Sequence, residues 1–372
     1  MKRALALLSG VVFALAAAAR PASKHYDVLE LPAVPSAVAA QSLIYSLTRA
    51  GERLVATGIR GHILYSDDQG HVWTQAEAVP VRSSLLDASF PTPEQGWVVG
   101  HEGVILHTGD GGRHWVRQLD GVELARAGLE HYRALSERHP DDARYVALVD
   151  EMQLAVDGNA DRPLFSVLMR DERQGIAAGA YGLLFATDDG GSSWQPIMER
   201  LDLEQYVHLF DCVELPAVGG GTPARVIAGE MGTILIEDPA SGMWHRQAFP
   251  YGGSMFTLVA TREGVLVAGG LRGRVFRSAD RGLSWTEVDK PASGAIVAGV
   301  VLADGRMLLA TQDGGVMLSE DDGLSFLPAA SGAQPSLSDL IESRPGELVL
   351  SGTFGVQVLE FREPPGSAPM SR

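Results

Sequence analysis

The stretch TGDGGRHW, residues 108–115, has four close copies elsewhere in the chain, and the five together decide the fold. The copies are SDDQGHVW (66–73), TDDGGSSW (187–194), SADRGLSW (278–285) and SEDDGLSF (319–326). Each fits Ser/Thr-x-Asp-x-Gly-x-x-aromatic, in which the hydroxyl and carboxylate close a tight turn and the glycine supplies a positive φ. The aromatic residue opens the next strand and can pack under the turn. Five such turns indicate an internal repeat.

A second repeated feature, Gly-x-x-Gly followed by an apolar run, lies upstream of these turns. Seven copies begin at residues 58, 100, 179, 229, 270, 311 and 352, with Thr311 replacing the first glycine of the sixth. Four of the steps between them are 41 or 42 residues. A period of about 41 with four short strands per unit is typical of a β-propeller blade. The sequence therefore predicts an all-β fold, a seven-bladed β-propeller.

The long step between the second and third copies carries a helical insertion at residues 121–160. Apolar residues recur at helical spacing in 121–138, and again in 143–156, where Leu148 and Met152 share one face. A turn sequence, HPDD, separates the two segments. We expect a helical hairpin between the last strand of blade two and the first strand of blade three. It is either a self-packed decoration or an arm that contacts a partner.

Residues 1–22 have the pattern of a secretory signal peptide. Lys2 and Arg3 form a positive end, an apolar run follows, and Ala-x-Ala sites precede Arg20. We expect cleavage and a mature protein in the periplasm or otherwise exported, with a retained N-terminal anchor as the alternative. Residues 23–362 then form the propeller, and residues 363–372 a flexible tail.

The last blade shows three strands in the sequence, so its closure needs a further segment. Residues 26–31 are rich in apolar side chains and are stopped by Pro32, which favours a short strand. We predict that residues 26–31 add the fourth, outer strand to the last blade. Such a pairing would join the two ends of the chain and remove an open sheet edge.

Strand alternation determines which features share a face of the disc. Turns between second and third strands lie on the same face as the links between blades, whereas the Asp turns lie on the opposite face. The Gly-x-x-Gly turns hold varied residues in a fixed frame, as expected for a binding surface, although ordinary exposed turns would look the same. The candidate partner-binding residues are Arg60, His101, Glu102, Tyr181, Glu230, Met231, Arg272, Asp313 and Phe354.

The Asp turns are predicted to be structural. Their frame residues are Asp68, Trp73, Asp110, Trp115, Asp189, Trp194, Asp280, Trp285, Asp321 and Phe326. A calcium loop of the helix-loop-helix type would end in a glutamate that these turns lack, and the histidines lack the paired spacing of zinc sites. We therefore expect no metal, no cofactor and no catalytic residue.

Charge and cysteine content restrict the function further. The formal net charge of −16 argues against binding of nucleic acid. Cys212 is the only cysteine, which excludes an internal disulfide, and its apolar surroundings in the sequence indicate a buried, inert thiol.

The repeat resembles that of the photosystem II stability/assembly factor family, which has BNR (Asp-box) repeats. The similarity is strongest at residues 100–115 and 179–194 and covers the propeller but not the helical insertion. The resemblance implies a seven-bladed propeller outside the cytoplasm that binds newly made membrane proteins and helps complexes assemble, without catalysis. The acidic residues Glu102, Glu230 and Asp313 in the Gly-x-x-Gly turns indicate a non-photosynthetic bacterial member. Its partner would be another membrane protein or envelope complex, with a transporter among the candidates.

We therefore expect an exported, non-catalytic, protein-binding propeller that acts as an assembly, stability or accessory factor for an envelope membrane complex. No small-molecule substrate is expected. The alternative is a sialidase-like glycoside hydrolase or a carbohydrate-binding propeller, because sialidases carry similar Asp turns. Their Arg-Ile-Pro stretch is absent here, but other glycosidases need only two carboxylates at a set separation. The candidates for that pair are Asp87, Glu102, Asp211, Glu230 and Asp313.

Overall fold

The computed structural model describes residues 28–158, 161–289, 292–329 and 336–361. These residues form seven antiparallel sheets, each built from strands that are consecutive in the chain. Six sheets have four strands, and the seventh has three within the described ranges. The predicted all-β, seven-bladed propeller with a helical hairpin between blades two and three is confirmed.

The elements fall into seven blades and one insertion. Blades one to three contain β1 Ile44–Ala50, β2 Arg53–Gly58, β3 Ile63–Ser66, β4 Thr74–Gln75; β5 Leu85–Ser89, β6 Gly96–Gly100, β7 Ile105–Thr108, β8 Val116–Leu119; β9 Leu164–Met169, β10 Gly175–Gly179, β11 Leu184–Thr187, β12 Gln195–Pro196. Blades four to seven contain β13 Leu209–Leu215, β14 Ala224–Gly229, β15 Ile234–Glu237, β16 Trp244–Arg246; β17 Met255–Ala260, β18 Leu266–Gly270, β19 Val275–Ser278, β20 Thr286–Val288; β21 Ile296–Val301, β22 Met307–Thr311, β23 Val316–Ser319, β24 Leu327–Pro328; β25 Leu337–Arg344, β26 Glu347–Gly352, β27 Gly355–Glu360. The helices α1 Gly121–Arg138 and α2 Ala143–Asp157 lie between β8 and β9.

The second strands of the blades are deeply buried. All five residues of β6, β10, β18 and β22 are buried, because both faces of a blade pack against its neighbours. This burial explains why the second strands read as apolar runs of small and branched residues rather than as a polar-apolar alternation. The core is therefore divided into layers between successive blades.

The innermost strand of every blade has a register irregularity at its second residue. In blade one, Ile44 pairs with Gly58 and Ser46 pairs with Thr57, so that Tyr45 is left over. A bulge of this kind takes a side chain out of the normal alternation between blade faces. The extra residue of each blade lines the central channel, one position below the Gly-x-x-Gly turns.

The Asp turns share one hydrogen-bond pattern, which the turn of Asp189 illustrates. The hydroxyl of Thr187 donates to the Asp189 carboxylate at 2.9 Å and accepts the N–H of Gly191 at 2.8 Å. The carboxylate also accepts the N–H and the hydroxyl of Ser193, at 2.9 and 2.7 Å. These bonds lower the pKa of Asp189. All of these partners lie within the same turn, so the carboxylate serves the turn itself.

We expect Asp189→Ala to lower the free energy of unfolding by about 1–2 kcal/mol, because the turn's N–H and hydroxyl donors lose their acceptor. Asp188→Ala is the matched control, since Asp188 is its exposed neighbour in the same turn. Urea unfolding followed by tryptophan fluorescence measures both variants. Equal losses from the two substitutions would contradict a specific role for the Asp189 carboxylate.

The helical hairpin is attached firmly to blade three. Helix α1 starts with a capping box, in which Asp120 accepts the N–H of Glu123 and the Glu123 carboxylate accepts the N–H of Asp120. Farther along, the buried hydroxyl of Tyr132 donates to Glu199 at 3.1 Å and accepts the N–H of Met198 at 2.9 Å. Among the described residues, no helix is both long and apolar enough to cross a membrane.

The predicted closing strand is wrong for residues 28–31, whereas residues 26 and 27 lie outside the described ranges. Residues 28–31 form a turn on blades one and two, where the carbonyl of Val28 accepts the N–H of Arg82 at 2.7 Å. The side chain of Leu29 is buried in the same apolar cluster as Val81 and Leu85. Burial of this leucine between two blades satisfies the apolar pattern that suggested a strand. The segments predicted as a signal peptide (1–22) and a flexible tail (363–372) also lie outside the described ranges.

A candidate protein-binding face

The seven Gly-x-x-Gly turns lie on one face of the propeller, which we call the tip face. In five of them the second variable residue adopts a left-handed backbone, with φ between 55 and 61° at Arg60, Glu102, Tyr181, Met231 and Arg272. A positive φ is costly for these side chains, and the flanking glycines and strands hold it in place. The repeated strain presents one side chain from each of these five blades in the same way.

The structure places the nine predicted tip residues on this face but does not gather them into one cluster. Most are exposed, whereas Glu102, Glu230 and Phe354 are half-buried. The two basic tips, Arg60 and Arg272, belong to blades one and five, which are not neighbours in the ring. A three-arginine carboxylate clamp of the sialidase type is therefore not assembled from these tips.

Blades three and four are joined at the tip face through His208. The Nδ1 atom of His208 accepts the N–H of Tyr181 at 3.0 Å, and the imidazole ring lies 4.8 Å from the tyrosine ring. The carboxylate of Glu230 accepts the N–H of His208 at 2.9 Å. The tips of these two blades therefore form one continuous, ordered surface.

A circle of seven residues, four of them aromatic, lies directly below these tips and was not predicted from the sequence. The bulged second residues of the seven inner strands line the channel mouth and are Tyr45, Leu86, Phe165, Phe210, Phe256, Val297 and Ser338. Neighbouring phenyl rings are in contact, with centroids 5.5 Å apart for Phe165 and Phe210 and 5.2 Å apart for Phe210 and Phe256. We call these seven residues the mouth ring.

Apolar surface continues from the mouth ring onto the tips of blades three to five. His208 bridges the two, since its ring lies 5.7 Å from that of Phe165 and also contacts Tyr181. Tyr181, Met231 and Leu271 on these three blades are 49%, 54% and 39% exposed. Apolar side chains grouped on one sector of a surface mark an interaction site better than the same residues scattered singly.

The helical hairpin reaches this apolar sector through one arginine. The guanidinium of Arg162 lies 4.9 Å from the centre of the Tyr181 ring and pairs with Glu151 of α2 at 2.5 Å. The hairpin therefore helps to position the Tyr181 tip. It lies on the tip-face side, as strand alternation predicts.

A second, polar ring lies one residue deeper in the channel. It consists of Ser46, Asp87, Ser166, Asp211, Thr257, Ala298 and Asp339. The three aspartates accept backbone N–H groups from the blade that follows: Asp87 from Val167 at 2.8 Å, Asp211 from Leu258 at 2.7 Å, and Asp339 from Leu47 at 2.7 Å. Each carboxylate thus links two neighbouring blades.

The channel raises the pKa values of all three aspartates. Burial is the main cause, and it raises the pKa of Asp87 and of Asp339 to about 7. Repulsion adds to the effect, because the charge of Asp211 acts on Asp87 and both act on Asp339. The pKa of Asp211 is raised by burial too. The three groups therefore face a common space in which ionisation is unfavourable.

The carboxylates proposed for a glycosidase pair fall into two groups. Asp87 and Asp211 lie in the channel and are bonded to backbone N–H groups of two blades, whereas Glu102, Glu230 and Asp313 are tip residues.

Within the described ranges, no group of His, Cys, Asp or Glu side chains could hold a metal ion. Cys212 is buried, and burial raises the pKa of its thiol well above the usual value. This fits the expected inert thiol.

A weak sequence signal for the mouth ring does exist. Three inner strands begin with a large aliphatic residue, then phenylalanine, then a polar residue, at 164–166, 209–211 and 255–257. The third residue of this triplet belongs to the polar ring. This triplet predicts a phenylalanine in the channel only when the bulge is known. In a regular strand the phenylalanine side chain would point toward a neighbouring blade.

Comparison with known proteins shows that part of this chain is similar to proteins of the Ycf48 family. The family model described as photosynthesis system II assembly factor YCF48 matches residues 65–134. The photosystem II assembly protein Ycf48 of Synechococcus sp. (strain JA-2-3B'a(2-13)) is 48% identical over 54 residues, which are 14% of this chain and 16% of that protein. The photosystem II assembly lipoprotein Ycf48 of Synechocystis sp. (strain ATCC 27184 / PCC 6803 / Kazusa) is 39% identical over 79 residues, 20% of this chain and 22% of that protein. The matched stretches thus span less than a quarter of these relatives.

Solved structures resemble the whole fold. A structure of YCF48 bound to D1 peptide has a TM-score of 0.61 at 15% identity and covers 87% of this chain and 94% of that one. YCF48 from Cyanidioschyzon merolae has a TM-score of 0.58 at 16% identity, covering 86% and 95%. The WD40 propeller of Doa1 is similar too, with a TM-score of 0.59 at 10% identity, covering 89% and 95%. The resemblance seen in the repeats is confirmed, and the structures confirm the fold.

Proposed function

We propose that this Ycf48-like propeller is a non-catalytic assembly or accessory factor that binds a membrane protein through its tip face. The observation that carries the proposal is the apolar sector of the tip face, in which the mouth ring lies below the exposed side chains of Tyr181, Met231 and Leu271. Such a surface can cover a hydrophobic segment of an unassembled protein. Relatives named as photosystem II assembly proteins, and a similar fold that binds a D1 peptide, support this type of partner.

We also propose that the protein works in the cell envelope. The support is the signal-like sequence of residues 1–22. The partner is then a membrane protein or complex that is accessible from the exported side, with a transporter among the candidates. Fractionation of cells that express the full chain, with protease protection before and after the outer membrane is opened, tests this location.

Photocrosslinking tests the proposed face. A photoreactive benzoylphenylalanine in place of Tyr181 or Met231 of the full chain should crosslink an integral membrane protein in intact envelopes, because both side chains are exposed in the apolar sector. Leu283 and Leu324, 68% and 63% exposed in Asp turns on the opposite face, provide matched control positions. Mass spectrometry identifies the products. Crosslinks only from the control positions would contradict the proposed face.

A test for hydrolysis is kept separate from the binding test. The purified chain is expected to release no product from a panel of glycosides. Activity that disappears in Asp87→Asn and Asp211→Asn, while folding is retained, would replace the binding proposal with the glycosidase alternative.

A further inference from the structure

The channel combines three features that together specify the chemistry of a ligand group. Its cavity of about 340 Å³ opens through the mouth ring, and the carboxylates of Asp87, Asp211 and Asp339 lie directly below that ring. Among the described residues that line the cavity there is no lysine, arginine or histidine. A carboxyl group withdrawn from bulk water either stays protonated or ionises beside a cation. Here the channel walls provide none.

Asp211 and Asp339 retain unused acceptor positions on their carboxylate oxygen atoms, whereas the carboxylate of Asp87 already accepts from Ser46, Ala88 and Val167. Asp211 accepts the N–H groups of Cys212 and Leu258, and Asp339 accepts those of Leu340 and Leu47. An ionised carboxylate has about four acceptor positions, so each of these groups can accept further hydrogen bonds. The structural role of the aspartates and the binding of a donor from the channel are therefore compatible.

The mouth ring supplies the second half of a cation site. The faces and edges of Phe165, Phe210 and Phe256 form an apolar entrance in which neighbouring rings contact one another. Aromatic faces attract ammonium and guanidinium groups, and they also pack against the methylene stems of lysine and arginine. A ligand group that fits both the mouth ring and the polar ring below it has an apolar stem and a positively charged end.

We propose that the channel mouth binds a basic side chain of the partner protein, a lysine or an arginine, with its stem between the phenylalanine rings and its charge toward the three aspartates. This inference rests on the proposed function, because it names what the tip face recognises. An aliphatic or anionic side chain would leave the carboxylates without a cation. The site therefore favours an apolar segment that contains a basic residue.

Small probes measure this preference directly on the intact protein. We use n-hexylammonium, n-hexylguanidinium, n-hexanol and hexanoate, which share one stem and differ in the end group. Either cation is expected to bind at least about tenfold more tightly than hexanol, as measured by ligand-detected NMR. Hexanoate is expected to bind most weakly. Equal affinities for hexylammonium and hexanol, or a preference for hexanoate, would overturn the inference.

A variant that fills the site provides an independent test. Val297 lies in the mouth ring, so Val297→Lys adds a tethered ammonium that competes for the carboxylates. We expect it to weaken binding of hexylammonium at least about tenfold. Leu283→Lys adds the same charge on the opposite face and should leave the affinity unchanged within about twofold. Thermal unfolding confirms that both variants are folded, and equal affinities for the two would overturn the inference.

Crosslinking separates this inference from the proposed function. If Val297→Lys abolishes both probe binding and the crosslink from position 181, the partner uses the cation site. If probe binding is lost but the crosslink persists, the tip face binds a partner without a basic side chain in the channel, and the inference is overturned while the proposed function stands. Absence of the crosslink in the otherwise unchanged protein is the result that contradicts the proposed function.

Discussion

Trp194→Ala is expected to lower the free energy of unfolding by about 3–5 kcal/mol. Its indole is 2% exposed and belongs to the largest apolar cluster, which also contains Trp97 and Phe185. The Nε1 atom donates to Gln118 of blade two at 3.3 Å. The substitution therefore removes packing and a polar contact between blades two and three.

Trp73→Ala is the matched control for this prediction. Trp73 occupies the same position in the Asp turn of blade one, but it is only half-buried, and its indole donates to Gly70 within the turn. We expect roughly half the loss seen for Trp194→Ala, because less apolar surface leaves water on folding. Urea unfolding followed by circular dichroism gives both values. Equal losses would mean that the turn, and not burial between blades, determines the contribution of the aromatic residue.

The repeat made the blades predictable, because its spacing and turn chemistry are local properties of the chain. Asp189 illustrates this, since Thr187 and Ser193, which donate to its carboxylate, belong to the same turn. The position of residues 28–31 was not predictable in the same way. Their apolar pattern is satisfied equally by an outer strand or by burial of Leu29 between two blades. Only the three-dimensional surroundings decide between these outcomes.

The candidate site was only partly predictable for a similar reason. Strand alternation identified the tip face and the position of Tyr181, which the structure joins to blade four through His208. The mouth ring depends on a bulge that changes the direction of Phe210 and its equivalents. The polar ring depends on the same bulge. A bulge leaves little trace in a single sequence, so these residues were assigned to ordinary strands.

We expect Asp339→Ala to lower the free energy of unfolding by about 2–4 kcal/mol at pH 5. The Asp339 carboxyl accepts the N–H of Leu340 in its own blade and the N–H of Leu47 in blade one. Both donors lose their acceptor in the variant, which costs about 1–3 kcal/mol for each one that stays buried. Because this bond joins the last blade to the first, its loss weakens the closure of the ring. Ser338→Ala, a change at the adjacent channel residue, is the matched control.

The effect of Asp339→Ala should become smaller as the pH rises to 8. Burial and the charges of Asp87 and Asp211 raise the pKa of Asp339 to about 7 in the folded protein, whereas a carboxyl group in the unfolded chain has a pKa of about 3.9. Because its pKa is higher in the folded protein, the contribution of Asp339 to stability is fully present below about pH 4. This contribution is lost as the pH rises through about 7. In the protonated carboxyl one oxygen still accepts an N–H bond fully and the hydroxyl oxygen accepts the other more weakly. Asp339 therefore stabilises the folded protein most at acidic pH. Chemical unfolding of both proteins at pH 5, 6, 7 and 8 measures the difference, and a loss that grows with pH would show that the ionised carboxylate, not the protonated form, closes the ring.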